Sequence, residues 1–464
     1  MWRDTRARSV RAATGAAPPR GAEPALAARA AYRLRGNDLG AMTASAADMY
    51  PHLWSWDAAF AAIGLAKLDL QRAVRELDTL LAAQWSTGML PHIVFAAEQV
   101  DYFPGPERWG CRESGAPAPV APPTSGICQP PVHAFAVQRV VAAGRHPSRS
   151  DRDLSEAFLR RAWVPMMAWH RWLAEQRDPE AEGLITIYHS WESGIDNCPR
   201  WDGPYSRVVV GDDLPPYRRR DKLNVTDPSQ RPTDADYDRY IWLVEQMRRV
   251  GYADASVRGT CDFAVKDVFT SAIMAAASEV LAEVGEETRA PAVDVADLRA
   301  WAARFRAGVV RTVDTGTGLA RDRDLRADSW ISSETIAGFA PLLSGGLDPA
   351  AQRRMLATFD SPTWCAHPRL VAPAPPSTSP EAAVFRPREY ARGPYWPVLF
   401  WLFGWAFERH GWPERATQMR DAGLWLTREG DFAEYYEPFT GEPLGGTTAH
   451  SLTAAVVLDW LCSL

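Results

Sequence analysis

The chain lacks the short signatures that by themselves would assign a chemistry. It has no G-x-S-x-G elbow, no Walker-type phosphate loop, no G-x-G-x-x-G after a strand and no H-E-x-x-H. Serine-hydrolase, nucleotide-binding and zincin readings therefore have no support. The nine histidines show no pairing at ligand spacing, and the six cysteines, at 111, 128, 198, 261, 365 and 462, form no C-x-x-C. No metal is expected. No run approaches eighteen apolar residues, and the first thirty hold no continuous apolar segment, so neither a membrane span nor a secretory signal is expected. A cytoplasmic protein with reduced thiols is the consequence. Excess positive charge is missing as well: at a net −6 the chain is a poor match to a nucleic-acid surface. Strand alternation is scarce, with 184–188 and 206–210 as short candidates. No repeat of fixed period appears, as a stacked solenoid would require.

What is present is tryptophan and helical periodicity. Twenty tryptophans in 464 residues supply flat apolar faces of the kind that stack on sugar rings or bases, and the acidic balance favours sugar. Apolar positions at helical spacing predict helices over 28–46, 54–68, 70–84, 130–144, 152–176, 235–252, 262–286, 295–312, 332–343, 349–358, 394–410, 412–428 and 447–463. With no βαβ rhythm, this pattern predicts an all-α fold. The (α/α)6 toroid, six helical hairpins closed around one pocket, accommodates about this number of helices. Residues 1–30, rich in Ala, Pro and Arg, read as a disordered extension, and 31–464 as a single catalytic domain.

Long loops interrupt the helices. Residues 101–131 carry eight prolines interleaved with Tyr102, Phe103 and Trp109, and a loop of that length in a compact domain predicts a lid. Carboxylates gather with aromatics in three places: the stretch from His189 to Asp202, the run Glu434-Tyr435-Tyr436-Glu437, and the stretch from Tyr50 to Asp57. Burial of Asp196 between Trp191 and Trp201 would raise its pKa, as a general acid working near neutrality needs. Two distant carboxylates with aromatic platforms are the equipment of a glycosidase. Each feature also has a plainer reading: Asp57 as a residue of a first helical turn, Trp54 and Trp56 as core, Glu434 as a solvated flank. Asp234, Asp236 and Asp238 lack the Gly and Glu of a calcium loop and read as the acidic start of a helix.

Trp191-Glu192-Ser193-Gly194-x-Asp196-Asn197-x-Pro199-Arg200-Trp201 resembles the signature of the glycoside hydrolases that include processing α-glucosidase I and the bacterial mannosylglycerate and glucosylglycerate hydrolases. The resemblance extends to Leu53 through Asp57, Arg231 through Tyr237, Arg392 through Trp396, and Glu434 through Gly441, in order from about residue 40 to 464. It implies the (α/α)6 toroid, an inverting mechanism with Asp196 as general acid and Glu434 as general base, and no cofactor. Trp54 and Asp57 map to the pocket for the glycone, with Tyr50, Gln129 and Trp191 around it. Arg231 and Tyr237 map to the grip on a glycerate carboxylate, and Trp396 to the pocket wall. Tyr102, on the lid, is expected to contact substrate. One departure is Cys198, where the family carries serine, beside the acid.

The expectation is an inverting α-glycosidase on a small anionic glycoside, glucosylglycerate or mannosylglycerate. Its partner is a small sugar, not nucleic acid or membrane, and homo-oligomerisation is left open. Three alternatives stand: an α-glucosidase on neutral saccharides, an epimerase-like isomerase on the same toroid, which would need paired histidines, and a non-catalytic sugar-binding toroid.

Overall fold

The helical frame is α1 (Glu23–Gly36), α2 (Ser55–Leu65), α3 (Leu70–Ala82), α4 (His133–Ala143), α5 (Arg149–Gln176), α6 (Asp234–Arg249), α7 (Val268–Thr288), α8 (Ala292–Arg311), α9 (Ala340–Ser344), α10 (Pro349–Phe359), α11 (Pro397–Arg409), α12 (Pro413–Leu426) and α13 (Ser451–Leu461). Shorter helices at Pro106–Trp109, Asp202–Ser206 and Asp254–Thr260 lie in the connections. This is a computed structural model, and it describes residues 23–462 apart from 99–100, 146–147, 224, 226 and 333.

The helices pack in a circuit. α2 lies on α4, α4 on α7, α7 on α9, α9 on α11, α11 on α13, and α13 returns to α2. Outside it α3 covers α2, α5 covers α3 and α4, α8 covers α7, α12 covers α11 and α1 covers α13. Composition explains which helices are inside. Every residue of α2 is buried, and its alanines 58, 59, 61 and 62 keep it thin enough to be surrounded. At Gly64 an added Cβ would lie 2.6 Å from the Ala455 Cα. Only glycine therefore lets α2 and α13 approach this closely. α7 is long and apolar enough to cross a membrane, but 89% of its apolar window is buried in the protein. It is the core helix of this circuit. Chain ends are tied by Asn37, whose side-chain amide donates to the Ala449 carbonyl (2.6 Å) and to Ser451 Oγ (2.8 Å).

Short strands position the loops. β1 (Leu53–Trp54) pairs antiparallel with β2 (Ile93–Val94) at the entrance to α2. β3 (Ile185–Ile187), β4 (Val265–Asp267), β5 (Asp322–Asp324) and β6 (Ser329–Ile331) form an antiparallel sheet in that order. Asp267 on β4 and Asp322 on β5 receive the fully buried Arg200 at 2.9 and 3.0 Å. That pair pins the loop after β3 to the sheet, and removing one partner of so buried a cluster costs about 3–5 kcal/mol. β7 (Tyr435–Tyr436) and β8 (Pro443–Leu444) form a hairpin before α13.

Several expectations need correction. The first helix spans 23–36, not 28–46, and Leu26 and Ala30 are buried in it. Residues 23–30 are thus part of the fold rather than of an extension, while residues 1–22 lie outside the described residues. The stretch 206–210 is not a strand: Ser206 ends a short helix, 208–210 pair with no strand among the described residues, and Val209 is exposed. By contrast 184–188 contains β3. The helix expected over 262–286 begins only at Val268, because 265–267 pair as β4. The helix expected over 332–343 is a 3-10 turn, Ile336–Phe339, and the short α9, with Pro341 restricting the junction. The acidic start of α6 is as expected: Thr233 Oγ1 accepts from the Asp236 N–H, and Asp234 and Asp236 lie in the first turn.

Candidate active site

One pocket of about 110 Å³ collects ten of the eleven expected site residues: Tyr50, Trp54, Asp57, Tyr102, Gln129, Trp191, Asp196, Arg231, Tyr237 and Glu434. Trp54 and Asp57 enter at the start of α2, Gln129 precedes α4, and Glu434 precedes β7. Gln129 Oε1 accepts from the Trp56 N–H (3.0 Å), which fixes its amide. Asp196 follows a 3-10 turn, Ser190–Ser193, that ends at Gly194 with φ +70°. Within that turn Glu192 accepts both terminal nitrogens of Arg177 (2.9 and 2.7 Å) and the backbone N–H groups of Tyr188 and Cys128. Glu192 therefore ties the loops carrying Gln129 and Trp191 together. His189 Nδ1 accepts from the Trp191 N–H (3.1 Å), and its ring lies 4.4 Å from the indole.

The electrostatics divide the carboxyls. Burial, then the charge of Glu434, pushes Asp196 up to about 8 against the pull of Arg231. Burial also raises Glu434, but Arg231 and a hydrogen bond from Tyr390 oppose it. Tyr390 Oη donates to Glu434 Oε1 at 2.8 Å, and Oε2 has no hydrogen-bond partner among the described residues. Near neutral pH this leaves a protonated Asp196 able to donate, while Arg231 and Tyr390 act on Glu434 in the direction of its charged form. Burial, then Glu434, raises Asp57 well above its usual range, so it too can donate. Arg231 is buried. One of its terminal nitrogens donates to Tyr50 Oη (2.8 Å) and the other to the Gly445 carbonyl (3.2 Å). Among the described residues no carboxylate pairs with it. Asp234, three residues on, meets Arg219 and Lys222.

The chain has known relatives. A sequence profile described as the mannosylglycerate hydrolase MGH1-like glycoside hydrolase domain matches residues 50–451. The chain belongs to that glycoside hydrolase family. It is 58% identical over 94% of its length to a glucosylglycerate hydrolase of Mycolicibacterium hassiacum, covering 97% of that protein. It is 38% identical over 92% of its length to a mannosylglycerate hydrolase of Thermus thermophilus, covering 98%. A crystal structure of a GH63 mannosylglycerate hydrolase, also from Thermus thermophilus, in complex with Tris and D-glycerate superposes with a TM-score of 0.84 at 36% identity, over 94% of this chain and 99% of that one.

Against the glycoside hydrolase family pattern, one expected residue is displaced. Trp396 does not line the pocket: it is buried, stacked on Tyr435 at 5.2 Å and edge-on to Tyr390 at 5.0 Å. It backs the tyrosine that contacts Glu434. Most tryptophans are likewise core, as Trp109, Trp169 and Trp201 show, and three, Trp54, Trp56 and Trp191, line the pocket. Glu437 does not line the pocket: its Oε2 accepts the Phe439 and Thr440 N–H groups (2.9 and 2.6 Å) and closes the turn. Cys198 is buried and does not line the pocket. The loop 101–131 is mostly not a lid: Trp109, Ile127 and Cys128 are buried and Tyr252 Oη donates to the Trp109 carbonyl, so of this loop Tyr102 and Gln129 line the pocket.

Sequence reasoning missed Tyr390, His92, His450, Tyr240 and Asp221, which all line the pocket. Tyr390 lies two residues before the motif Arg392 through Trp396, and this was its only signal. The histidines come from separate loops. Burial lowers both His92 and His450 to about 3, so they are neutral and poorly suited to shuttle protons, as an isomerase would require.

Proposed function

We propose that this glycoside hydrolase cleaves glucosylglycerate or mannosylglycerate to free sugar and glycerate with inversion at the anomeric carbon. The observation that carries it is Arg231, a buried guanidinium with no carboxylate partner among the described residues, set in one small pocket with Asp196 and Glu434. A buried cation left unpaired is costly, and an anionic substrate would compensate it. The terminal nitrogen on the Gly445 carbonyl also donates to Met49 Sδ (3.0 Å), but Nε and one N–H of the nitrogen bonded to Tyr50 have no partner among the described residues and can donate to a carboxylate. The substrates named for its relatives, and D-glycerate in the related crystal structure, support the same class.

In this reading Asp196 protonates the leaving glycerate oxygen. Glu434, oriented by Tyr390 through Oε1, uses its free Oε2 to take a proton from water on the opposite ring face. Inversion requires room for that water, roughly 6.5–9.5 Å between carboxyls. Asp57, protonated, donates to a glycone hydroxyl, with Trp54 and Trp191 as apolar walls. The circuit of α2, α4, α7, α9, α11 and α13, with α1, α3, α5, α8, α10 and α12 alternating outside it in sequence, supports the (α/α)6 toroid as one catalytic domain. We place the enzyme in the cytoplasm, with its cysteines as free thiols.

The test is a panel of glucosylglycerate, mannosylglycerate, trehalose and kojibiose, with the first-formed anomer followed by NMR. A β-anomer from an α-linked glycerate glycoside is expected. Retention overturns the mechanism, and preference for a neutral disaccharide overturns the substrate class. Arg231→Lys should depress turnover of the glycerate glycoside severely while sparing a neutral aryl α-glucoside; equal loss on both would make Arg231 structural.

A further inference from the structure

Asp221 also lines the pocket, on the side of Arg231, Pro232 and Tyr237. Nothing in its sequence neighbourhood marks it, yet it is held in a built arrangement. Arg219 grips it with two nitrogens, Nε to Oδ1 at 2.9 Å and a terminal nitrogen to Oδ2 at 2.6 Å. The remaining terminal nitrogen of Arg219 donates to the carbonyls of Pro232 (2.8 Å) and Thr233 (3.0 Å), and the guanidinium lies 4.3 Å from the centre of the Tyr237 ring. The Arg219 and Asp221 side chains are only 9% and 17% exposed, whereas Asp234 nearby is 75% exposed. One guanidinium therefore fixes the carboxylate of Asp221, the backbone directly after Arg231 and the face of Tyr237.

A lone carboxylate beside a site for an anionic substrate would repel it. Arg219 neutralises that repulsion and leaves Asp221 as a hydrogen-bond acceptor. A carboxylate has about four lone-pair directions, and the grip of Arg219 occupies two of them. The others remain for a donor in the pocket. An aglycone of glycerate type carries two free groups once its 2-oxygen is glycosylated: a carboxylate and a primary hydroxyl. The wall offers a matching pair, a cation in Arg231 and an acceptor in Asp221.

We propose that Asp221 is a specificity-determining residue that accepts the free hydroxyl of the aglycone while Arg231 takes its carboxylate, so that the substrate class is the glycoside of a dihydroxy acid. The inference rests on the anionic-substrate reading above and deepens it. Arg219 is the positioning residue of this pair: it sets Asp221 without touching substrate. A site built to pair a hydroxyl discriminates against the analogue lacking it, because the buried acceptor is then left unmatched.

The experiment compares kcat/KM on the α-glucosides of glycerate, of lactate (no second hydroxyl) and of glycerol (no carboxylate). The enzymes are the wild type and the variants Asp221→Ala and Asp221→Asn, with melting temperature as a folding control. The wild type should favour the glycerate over the lactate glucoside by about tenfold to a hundredfold, the range of one hydrogen bond to a charged group. Asp221→Ala should bring that ratio close to one, mainly by lowering the glycerate value, with the lactate value changing less than about threefold. Asp221→Asn, which keeps the shape and an acceptor oxygen, should give an intermediate ratio and serves if the alanine variant melts early. An unchanged ratio in both variants, or an equal loss on both substrates, overturns the role of Asp221. Failure of the underlying reading looks different: the wild type would then hydrolyse the glycerol glucoside as well as the glycerate one.

Discussion

Replacing Asp196 with Asn should stabilise the folded protein while abolishing most of its activity, and the stabilisation should grow with pH. The folded carboxyl sits at about 8, against an ordinary value of 3.8. Its folded state thus binds the proton more tightly than the unfolded chain. The stability it contributes is fully present in acid, below about 3.8, and is lost as pH rises toward 8. At about 1.4 kcal/mol per tenfold in proton affinity, the linkage amounts to on the order of 4 kcal/mol at pH 7 and about 6 above pH 8. Asn resembles the protonated acid in shape and cannot ionise, so it escapes this loss. Urea unfolding of both proteins across about pH 4 to 9 isolates the effect, because groups not coupled to Asp196 cancel in the difference. The variant should match the wild type near pH 4 and exceed it by several kcal/mol at pH 8, while kcat falls by about 10² to 10⁴. Parallel stability curves would show that Asp196 ionises in the folded protein as readily as in water, and the assignment of the acid would lose its physical basis.

The pH–rate profile of the wild type should lose kcat/KM on the alkaline side near about pH 8 as Asp196 ionises. An alkaline limb that persists in Asp196→Asn would assign it to another group. Glu434→Ala should lower turnover by about 10² to 10⁴ with substrate binding retained, whereas Glu437→Ala should act through stability, since its carboxylate holds the turn at Phe439 and Thr440. The reverse pattern in kcat and melting temperature would exchange the two roles. Arg200→Met leaves Asp267 and Asp322 buried without their cation and should cost about 3–5 kcal/mol in urea unfolding. Gly64→Ala forces a Cβ to 2.6 Å from the Ala455 Cα and should cost at least about 1–3 kcal/mol. An unchanged melting temperature would mean that the α2–α13 contact relaxes freely.

Local sequence determined what depends on neighbours along the chain. The periodicity of 54–68, 152–176 and 412–428 marks helices because each face repeats within a few residues, and Gly194 and Pro199 break the acid-bearing stretch into a loop whatever surrounds it. The acids beside aromatics around Asp196 and Glu434 were legible for the same reason, whereas the full set of expected pocket residues, ten of eleven of which line it, came from the family resemblance. Tertiary structure decided everything that depends on partners distant in sequence. Whether Val208 to Val210 form a strand depends on an edge to pair with, and none is offered. Glu434 and Glu437 are both acids beside aromatics, three residues apart; only the hydrogen bonds of the fold show one closing a turn and the other opening onto the pocket. Trp396 faces away from the pocket because Tyr435 and Tyr390 fill the space before it. Asp196 carries its proton at neutral pH through burial and the nearby charge of Glu434, 238 residues away in the chain. Desolvation and Coulomb energy act through space, so no spacing along the sequence could have stated them.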